Sequence, residues 1–293
     1  MREGIDARAP EAGGADAGTA SRSLARAAEG LLRAGGGGSL QWRDVRLTTR
    51  FQPIYGVRKA FCIGFEGLVR AADAHGDVVA IESVFRGTPG DDKLLLDWAC
   101  RALHLRNFAM VDPGDRMLFV NVDPQAAILD TRRAREFSEL IRYYGLTPRR
   151  VCVEILEAEC GDEAQLREAV AAYRDAGVYI AIDDFGTGRS DIERVGRLQP
   201  DIVKVDRSIL AATVGGRAVA SVLPAIVEQL HQARCRVAIE GIETRAQALA
   251  AIAANADYLQ GFLFAHPEVE LDEEMTGVAV LEALIHAPLP AAT

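Results

Sequence analysis

The sequence predicts an α/β protein, a TIM-like (β/α)8 barrel with an irregular first hairpin, preceded by a flexible N-terminal leader. Three observations lead there. Eight short, β-branched apolar runs follow residue 40, longer amphipathic stretches separate all but the first pair, and polar residues collect in or just after these runs. Strands alternating with helices favour parallel pairing through crossovers. In a barrel of that kind the carboxyl ends of the strands form one mouth, where active sites of this fold are built.

The predicted strands are Leu47–Ile54, Phe61–Val69, Met117–Val122, Val151–Ile155, Tyr179–Ile182, Ile202–Val205, Arg236–Ile239 and the short pair Tyr258-Leu259. Between them, apolar residues at helical spacing predict helices over Asp91–Phe108, Arg132–Tyr144, Asp162–Ala176, Ser190–Leu198, Arg217–Ala233 and Thr244–Ala253. Only Val57–Lys59 separates the first two strands, so they are expected to form a hairpin. Residues 1–40 are rich in Ala, Gly and Arg, include the run Gly35–Gly38, and have too few large apolar side chains to offset their ordering entropy. They are expected to be a disordered leader, with a short helix conceivable over Ser21–Arg33. Residues 43–267 then form the barrel. Residues 268–293 form a C-terminal helix and tail, with Asp272-Glu273-Glu274 a solvated helix start before Val278–Ile285.

With 293 residues, 49% hydrophobic and 26% charged, the chain can bury a large core. A net charge of −9 argues against a nucleic acid polymer as partner. No run is long and apolar enough for a membrane span, and none resembles a secretory signal, so a cytoplasmic location is expected. Five scattered cysteines without C-x-x-C spacing read as reduced, mostly buried thiols. His75, His104, His231, His266 and His286 share no spacing and read as surface or helix-face residues.

The chemistry collects on the strands. Glu66 lies in the second, Asn121 ends the third, Glu154 is late in the fourth, Asp183-Asp184 follow the fifth, Lys204 is in the sixth and Glu240 ends the seventh. Carboxylates converging on one mouth repel one another unless divalent cations sit among them. Oxygen donors without a His or Cys cluster point to Mg2+ or Mn2+ rather than zinc. A lysine among β-branched residues in an inner strand needs an anionic or water partner. Gly186 and Gly188, in the loop after the aspartate pair, permit unusual backbone angles there.

Phe51-Gln52-Pro53-Ile54, Glu66-Gly67-Leu68-Val69-Arg70, Val120-Asn121, Glu154-Ile155-Leu156-Glu157, Asp183-Asp184-Phe185-Gly186-Thr187-Gly188, Lys204-Val205-Asp206, Glu240-Gly241-Ile242-Glu243 and Gln260-Gly261 resemble, in order, the signature of EAL phosphodiesterases. The resemblance implies metal-dependent hydrolysis of cyclic di-GMP to linear pGpG, with two ions. It implies metal ligands at Glu66, Asn121, Glu154, Asp183, Asp184 and Glu240, and a lysine that holds or deprotonates the attacking water at Lys204. Glu157 corresponds to the residue that steadies the loop after Asp184, and Arg70 to a phosphate-contacting arginine. Gln52, Pro53 and Gln260 fall at substrate-side positions, with Glu243, Gly186 and Gly188 in support. A homodimer is the family's expectation, and regulation is left to the leader, to dimerisation or to a regulatory protein partner.

The sequence departs from the commonest pattern in three places. Gly67 stands where Ala is usual, which loosens the strand, and Leu156 replaces a Thr beside a ligand. Arg189-Ser190-Asp191 replaces an aromatic residue and two serines. The alternative function, consistent with these departures, is a non-hydrolytic cyclic di-GMP receptor or a protein-interaction module on the same fold.

Overall fold

The computed structural model describes residues 27–33, 36, 38–112, 114–123, 127–128, 134–156, 163–187, 192–214, 222–269 and 276–286. The strands are β1 (Ser39–Trp42), β2 (Val45–Gly56), β3 (Phe61–Ala72), β4 (Val78–Val79), β5 (Met117–Val122), β6 (Val151–Leu156), β7 (Tyr179–Phe185), β8 (Ile202–Val205), β9 (Arg236–Ile239) and β10 (Tyr258–Leu259). The sheet runs β2-β10-β9-β8-β7-β6-β5-β3, and the β2–β3 pairing closes it into a ring of eight, with β1 and β4 attached outside. Seven ring strands are parallel. β2 alone runs antiparallel to both its neighbours, β3 and β10, as the hairpin at Val57–Lys59 requires. The expected barrel with its irregular first hairpin is therefore observed.

One expectation is corrected. Residues 27–33 are helical and packed on the barrel rather than a flexible leader. Ala28 and Leu32, four residues apart on one helical face, are each 1% exposed, and Arg106 donates to the Leu32 carbonyl at 3.1 Å. Ser39–Trp42 likewise leaves the leader, pairing with β2 and burying Leu40 and Trp42. Residues 1–26 lie outside those described. The helix expected over Arg217–Ala233 is seen over Val222–Gln232, with residues 217–221 outside those described, and a separate helix, Arg207–Val214, follows β8 directly. The other predicted helices, Gly90–Val111, Ala134–Tyr143, Glu163–Asp175, Ile192–Leu198 and Arg245–Ala253, surround the ring near their predicted positions, Ile81–Gly87 is a further short helix not predicted from the sequence, and Thr276–Ile285 follows the barrel. A capping box closes the start of Arg245–Ala253: Thr244 Oγ1 accepts from Gln247 N, while the Gln247 side chain accepts from Thr244 N.

The barrel interior is layered. Ile54, Phe119, Cys152, Ala181, Ile202 and Ala238 form an apolar plug, with Tyr258 packed against it. Side chains two residues apart on a strand share a face. Two positions nearer the mouth than each plug residue stand Gln52, Asn121, Glu154, Asp183, Lys204, Glu240 and Gln260. Glu66 joins them on β3, directly across from Gln52. The fold thus converts a period of two along the strands into a ring of polar groups above a dry floor.

Candidate metal centre at the barrel mouth

Lys204 Nζ is the hub of that ring. It lies 2.6 Å from Glu240 Oε1, 2.7 Å from Glu154 Oε1, and 3.3 Å from both Glu66 Oε2 and Asp183 Oδ1. Four carboxylates therefore face one ammonium that is 1% exposed. Burial opposes the charge on Lys204, but Asp183, Glu154, Glu240 and Glu66 together hold its pKa well above the usual lysine value.

The carboxylates differ according to their donors. Burial works against the charge on Glu66, yet Lys204 and hydrogen bonds from Gln260 Nε2 (2.8 Å) and Asn121 Nδ2 (3.0 Å) lower its pKa below the ordinary range. Glu154 is completely buried, and neither of its oxygens receives a well-aligned hydrogen bond despite the nearby ammonium. Its pKa is pushed well above normal, by burial first and then by Glu66, Asp183 and Glu240, with Lys204 opposing. Burial likewise raises Glu240 and Asp183. One lysine cannot neutralise this many carboxylates, so the centre is short of positive charge.

A backbone irregularity brings in a further carboxylate. Strict alternation would send Asp183 and Asp184 to opposite faces, but the β7–β8 register shifts between Ile182 and Phe185, and Asp184 takes a left-handed φ of 58°. Both aspartates then reach the mouth. Asp184 is raised to about 6 by burial, reinforced by Asp183 and Asp206. Gly186, at φ 103°, follows where a Cβ would fall 2.2 Å from Ile209 Cδ1, so this turn admits only glycine.

Carboxylate oxygens of Glu66, Glu154 and Asp183 lie within 4.8 Å of one another, as do those of Asp183, Asp184 and Glu240. Two triads sharing Asp183, with Glu154 facing the Lys204 ammonium but no well-aligned hydrogen-bond donor, fit divalent cations with hard oxygen ligands. Asn121 stands beside the first triad, its amide nitrogen engaged by Glu66.

The other expected residues are distributed unevenly. Gln52 and Gln260 join the ring, linked at 3.3 Å, and line a cleft of about 200 Å³ with Glu66, Glu240 and Glu243. Glu243 is an exposed rim residue 3.8 Å from Arg207 Nη1, outside the carboxylate cluster. Arg70 occupies the same face of β3 as Glu66, further toward the mouth, and is exposed with its Nη1 on the Val69 carbonyl. Pro53 pairs with Phe65, whose ring packs against Phe108 of the outer helix Gly90–Val111. Pro53 therefore faces the helices rather than the substrate side expected for it. Glu157, Gly188 and Arg189-Ser190-Asp191 lie outside the described residues. Arg207 and Phe262, absent from the sequence-based set, line the mouth cleft; Phe262 is half exposed and stacks on His266 at 4.3 Å. Their signal was local: each adjoins or nearly adjoins a quoted motif.

Gly67 has a physical reason of its own. A Cβ there would lie 2.9 Å from His104 Cγ. His104, expected to be a surface or helix-face residue, lies on the buried face of the helix Gly90–Val111, with its Nδ1 2.9 Å from Thr49 Oγ1. Burial lowers its pKa to about 4, so the ring is neutral. The glycine makes room for that imidazole behind the Glu66 strand.

Fold and centre together define a (β/α)8-barrel protein with a carboxylate cluster at its mouth able to hold metal. The chain belongs to the EAL domain family, whose model matches residues 39–267. It is 26% identical over 232 residues to the probable cyclic di-GMP phosphodiesterase PdeB of Escherichia coli, covering 77% of this chain and 43% of PdeB. Among solved structures, Bacillus subtilis YkuI, in complex with substrate c-di-GMP and calcium, matches with a TM-score of 0.72 and 27% identity over 82% of this chain and 60% of that one. A standalone EAL protein of Vibrio cholerae in its c-di-GMP-bound form gives a TM-score of 0.71 and 26% identity, covering 79% and 96%. The chain spans about a third to a half of the length of the curated relatives it matches. No described helix is long and apolar enough to cross a membrane.

Proposed function

We propose that this chain hydrolyses cyclic di-GMP to linear pGpG using two divalent cations, Mg2+ or Mn2+, at the barrel mouth. The observation that carries the proposal is the pair of carboxylate triads sharing Asp183 around Lys204. The family membership supplies the substrate class. Glu66, Glu154, Asp183 and Asn121 would hold one ion, and Asp183, Asp184 and Glu240 the other. Such ions, when bound, neutralise phosphoryl oxygens and acidify an attacking water.

In the reaction the water oxygen joins phosphorus, one P–O3′ bond breaks, and one proton passes to O3′, leaving a 5′-phosphate. Lys204 is set to hold the attacking water through its ammonium, and to take the water's proton it would first pass one of its own to a neighbouring carboxylate such as Glu240 or Glu154, 2.6 and 2.7 Å away. Gln260 and Gln52 keep Glu66 oriented. Arg70, whose Nη1 donates to its neighbour's carbonyl at 2.9 Å, offers its planar fork to a substrate phosphate. Glu243 supports the rim, and Glu157 with Gly188 steadies the loop after Asp184. A cytoplasmic homodimer answering to a regulatory partner completes the proposal; the four cysteines among the described residues are buried and free, in accord with a reducing compartment.

The test is chromatography of cyclic di-GMP incubated with the purified chain and Mg2+ or Mn2+. We expect linear pGpG, abolished by EDTA and reduced at least about 100-fold by Glu154→Gln, the scale of losing one charge-stabilising group. Intact cyclic di-GMP that binds but is never cut, with either ion, would overturn hydrolysis in favour of a receptor.

A further inference from the structure

The opposite end of the barrel carries a second, chemically distinct cleft of about 840 Å³, within the range of small-molecule sites. It is lined by Arg58, Lys59, Arg234, Arg236, Phe61 and Tyr258, at the hairpin turn and the amino-terminal ends of β9 and β10. Arg236 and Glu240 lie at opposite ends of β9, about 13 Å apart along the strand, and the apolar plug intervenes.

Although the chain carries a net charge of −9, this cleft is cationic. Its carboxylate, Asp257, is already engaged. Oδ1 takes Arg236 Nη1 at 2.7 Å, and Oδ2 takes His231 Nε2 at 2.8 Å and the Val237 amide at 2.9 Å. Arg58, Lys59 and Arg234 are exposed, and no carboxylate pairs with them among the described residues. Arg234 also holds a left-handed φ of 66° at the end of the helix Val222–Gln232, where glycine is the easy choice. Hydrogen bonds from Arg234 N to the His231 carbonyl (2.9 Å) and from Cys235 N to the Leu230 carbonyl (3.1 Å) fix that turn, and the exposed Arg234 side chain lines the cleft. Phe61 is 46% exposed and adjoins Gly56, whose Cβ would sit 2.7 Å from the ring. An open aromatic face therefore stands beside unpaired cations.

We propose that this cleft binds a nucleoside polyphosphate, its phosphates on Arg58, Lys59 and Arg234 and its base on Phe61. Guanidinium forks suit phosphate oxygens, and an exposed ring suits a purine. The site is separate from the proposed hydrolysis and stands whether or not that activity is found.

The experiment is calorimetric titration of the full chain in EDTA with GTP, pyrophosphate and guanosine. GTP is expected to bind saturably, and more tightly than either fragment. Arg58→Ala combined with Arg234→Gly should weaken GTP by at least about 10-fold, and Phe61→Ala should reduce it to the pyrophosphate level. Glu240→Gln, at the other mouth, should leave the affinity within about twofold. Because the altered side chains are exposed, the variants should fold. Arg234→Gly alone should melt higher than wild type while binding less GTP, a combination that a purely structural role cannot produce. The proposal is overturned by absence of saturable GTP binding, by pyrophosphate binding as tightly as GTP, or by binding that responds to Glu240→Gln and not to the three cleft substitutions.

Discussion

Replacing Lys204 by methionine removes the ammonium that four carboxylates share at 2.6, 2.7, 3.3 and 3.3 Å, while nearly conserving side-chain length. Glu154, fully buried and without a well-aligned donor, then keeps no compensating charge. Breaking a buried ion pair from one side costs about 3–5 kcal/mol, which for a chain of this size is a fall in melting temperature of roughly 10 °C. The loss is bounded by protonation. Glu154, Asp183 and Glu240 already have raised pKa values in the wild type, and without Lys204 they rise further. A carboxyl whose folded pKa exceeds its unfolded value favours folding at low pH and loses that contribution as pH rises through the folded pKa. Lys204→Met should therefore melt far below wild type at pH 7.5 in EDTA and close much of the gap near pH 5. Excess Mn2+ should raise the variant's melting temperature, since an ion at about 100 times its Kd adds roughly 2.7 kcal/mol. Thermal melts at the two pH values, in EDTA and in Mn2+, provide the assay. A variant that melts within about 2 °C of wild type in EDTA, with no pH dependence, would refute the charge balance described above.

Gly67→Ala should destabilise the fold by about 1–3 kcal/mol through overpacking against His104, and a second substitution, His104→Ser, should reduce that penalty; additive losses in a double-mutant cycle of denaturant melts would show that the two sites do not touch. His104, at about 4 in the fold against an ordinary 6.5, contributes stability that is complete above the unfolded value and lost as pH falls toward the folded one. About 3 kcal/mol should disappear across that window, so the stability profile of His104→Asn should be flatter there, and identical profiles would contradict a buried neutral ring. Asp184→Asn should raise metal-free stability above pH 6 by about 1 kcal/mol after allowing for partial solvent access, because it removes a carboxylate raised to about 6. The same change should weaken Mn2+ binding in calorimetry, and unchanged affinity would remove Asp184 from the metal set.

Most of the barrel and its polar ring were legible because both follow a short period. The apolar runs fix inward faces, so a polar residue two places beyond the plug must enter the mouth, as Asn121, Glu154 and Lys204 do. What the sequence concealed depends on tertiary contact. Residues 27–33 look like part of a polar leader until Ala28 and Leu32 find the barrel wall. His104 appears an ordinary helix residue until the helix Gly90–Val111 presses it against β3 at Gly67. Pro53 shares a motif with Gln52 but, one residue along, faces outward. The helix Arg207–Val214 starts one residue after Asp206, with no loop to announce it. The bulge at Asp183-Asp184 also escaped pattern reading, since a left-handed aspartate has no periodic signature.

Isotope-labelled turnover tests the central claim most directly: cyclic di-GMP, Mn2+ and the purified chain in 18O-enriched water, with the product read by mass spectrometry. Linear pGpG carrying one 18O in its terminal 5′-phosphate is the predicted result, absent in EDTA and in Glu154→Gln. Cyclic di-GMP recovered intact with Mn2+ and with Mg2+, or a linear product lacking the label, would contradict hydrolysis at the carboxylate mouth.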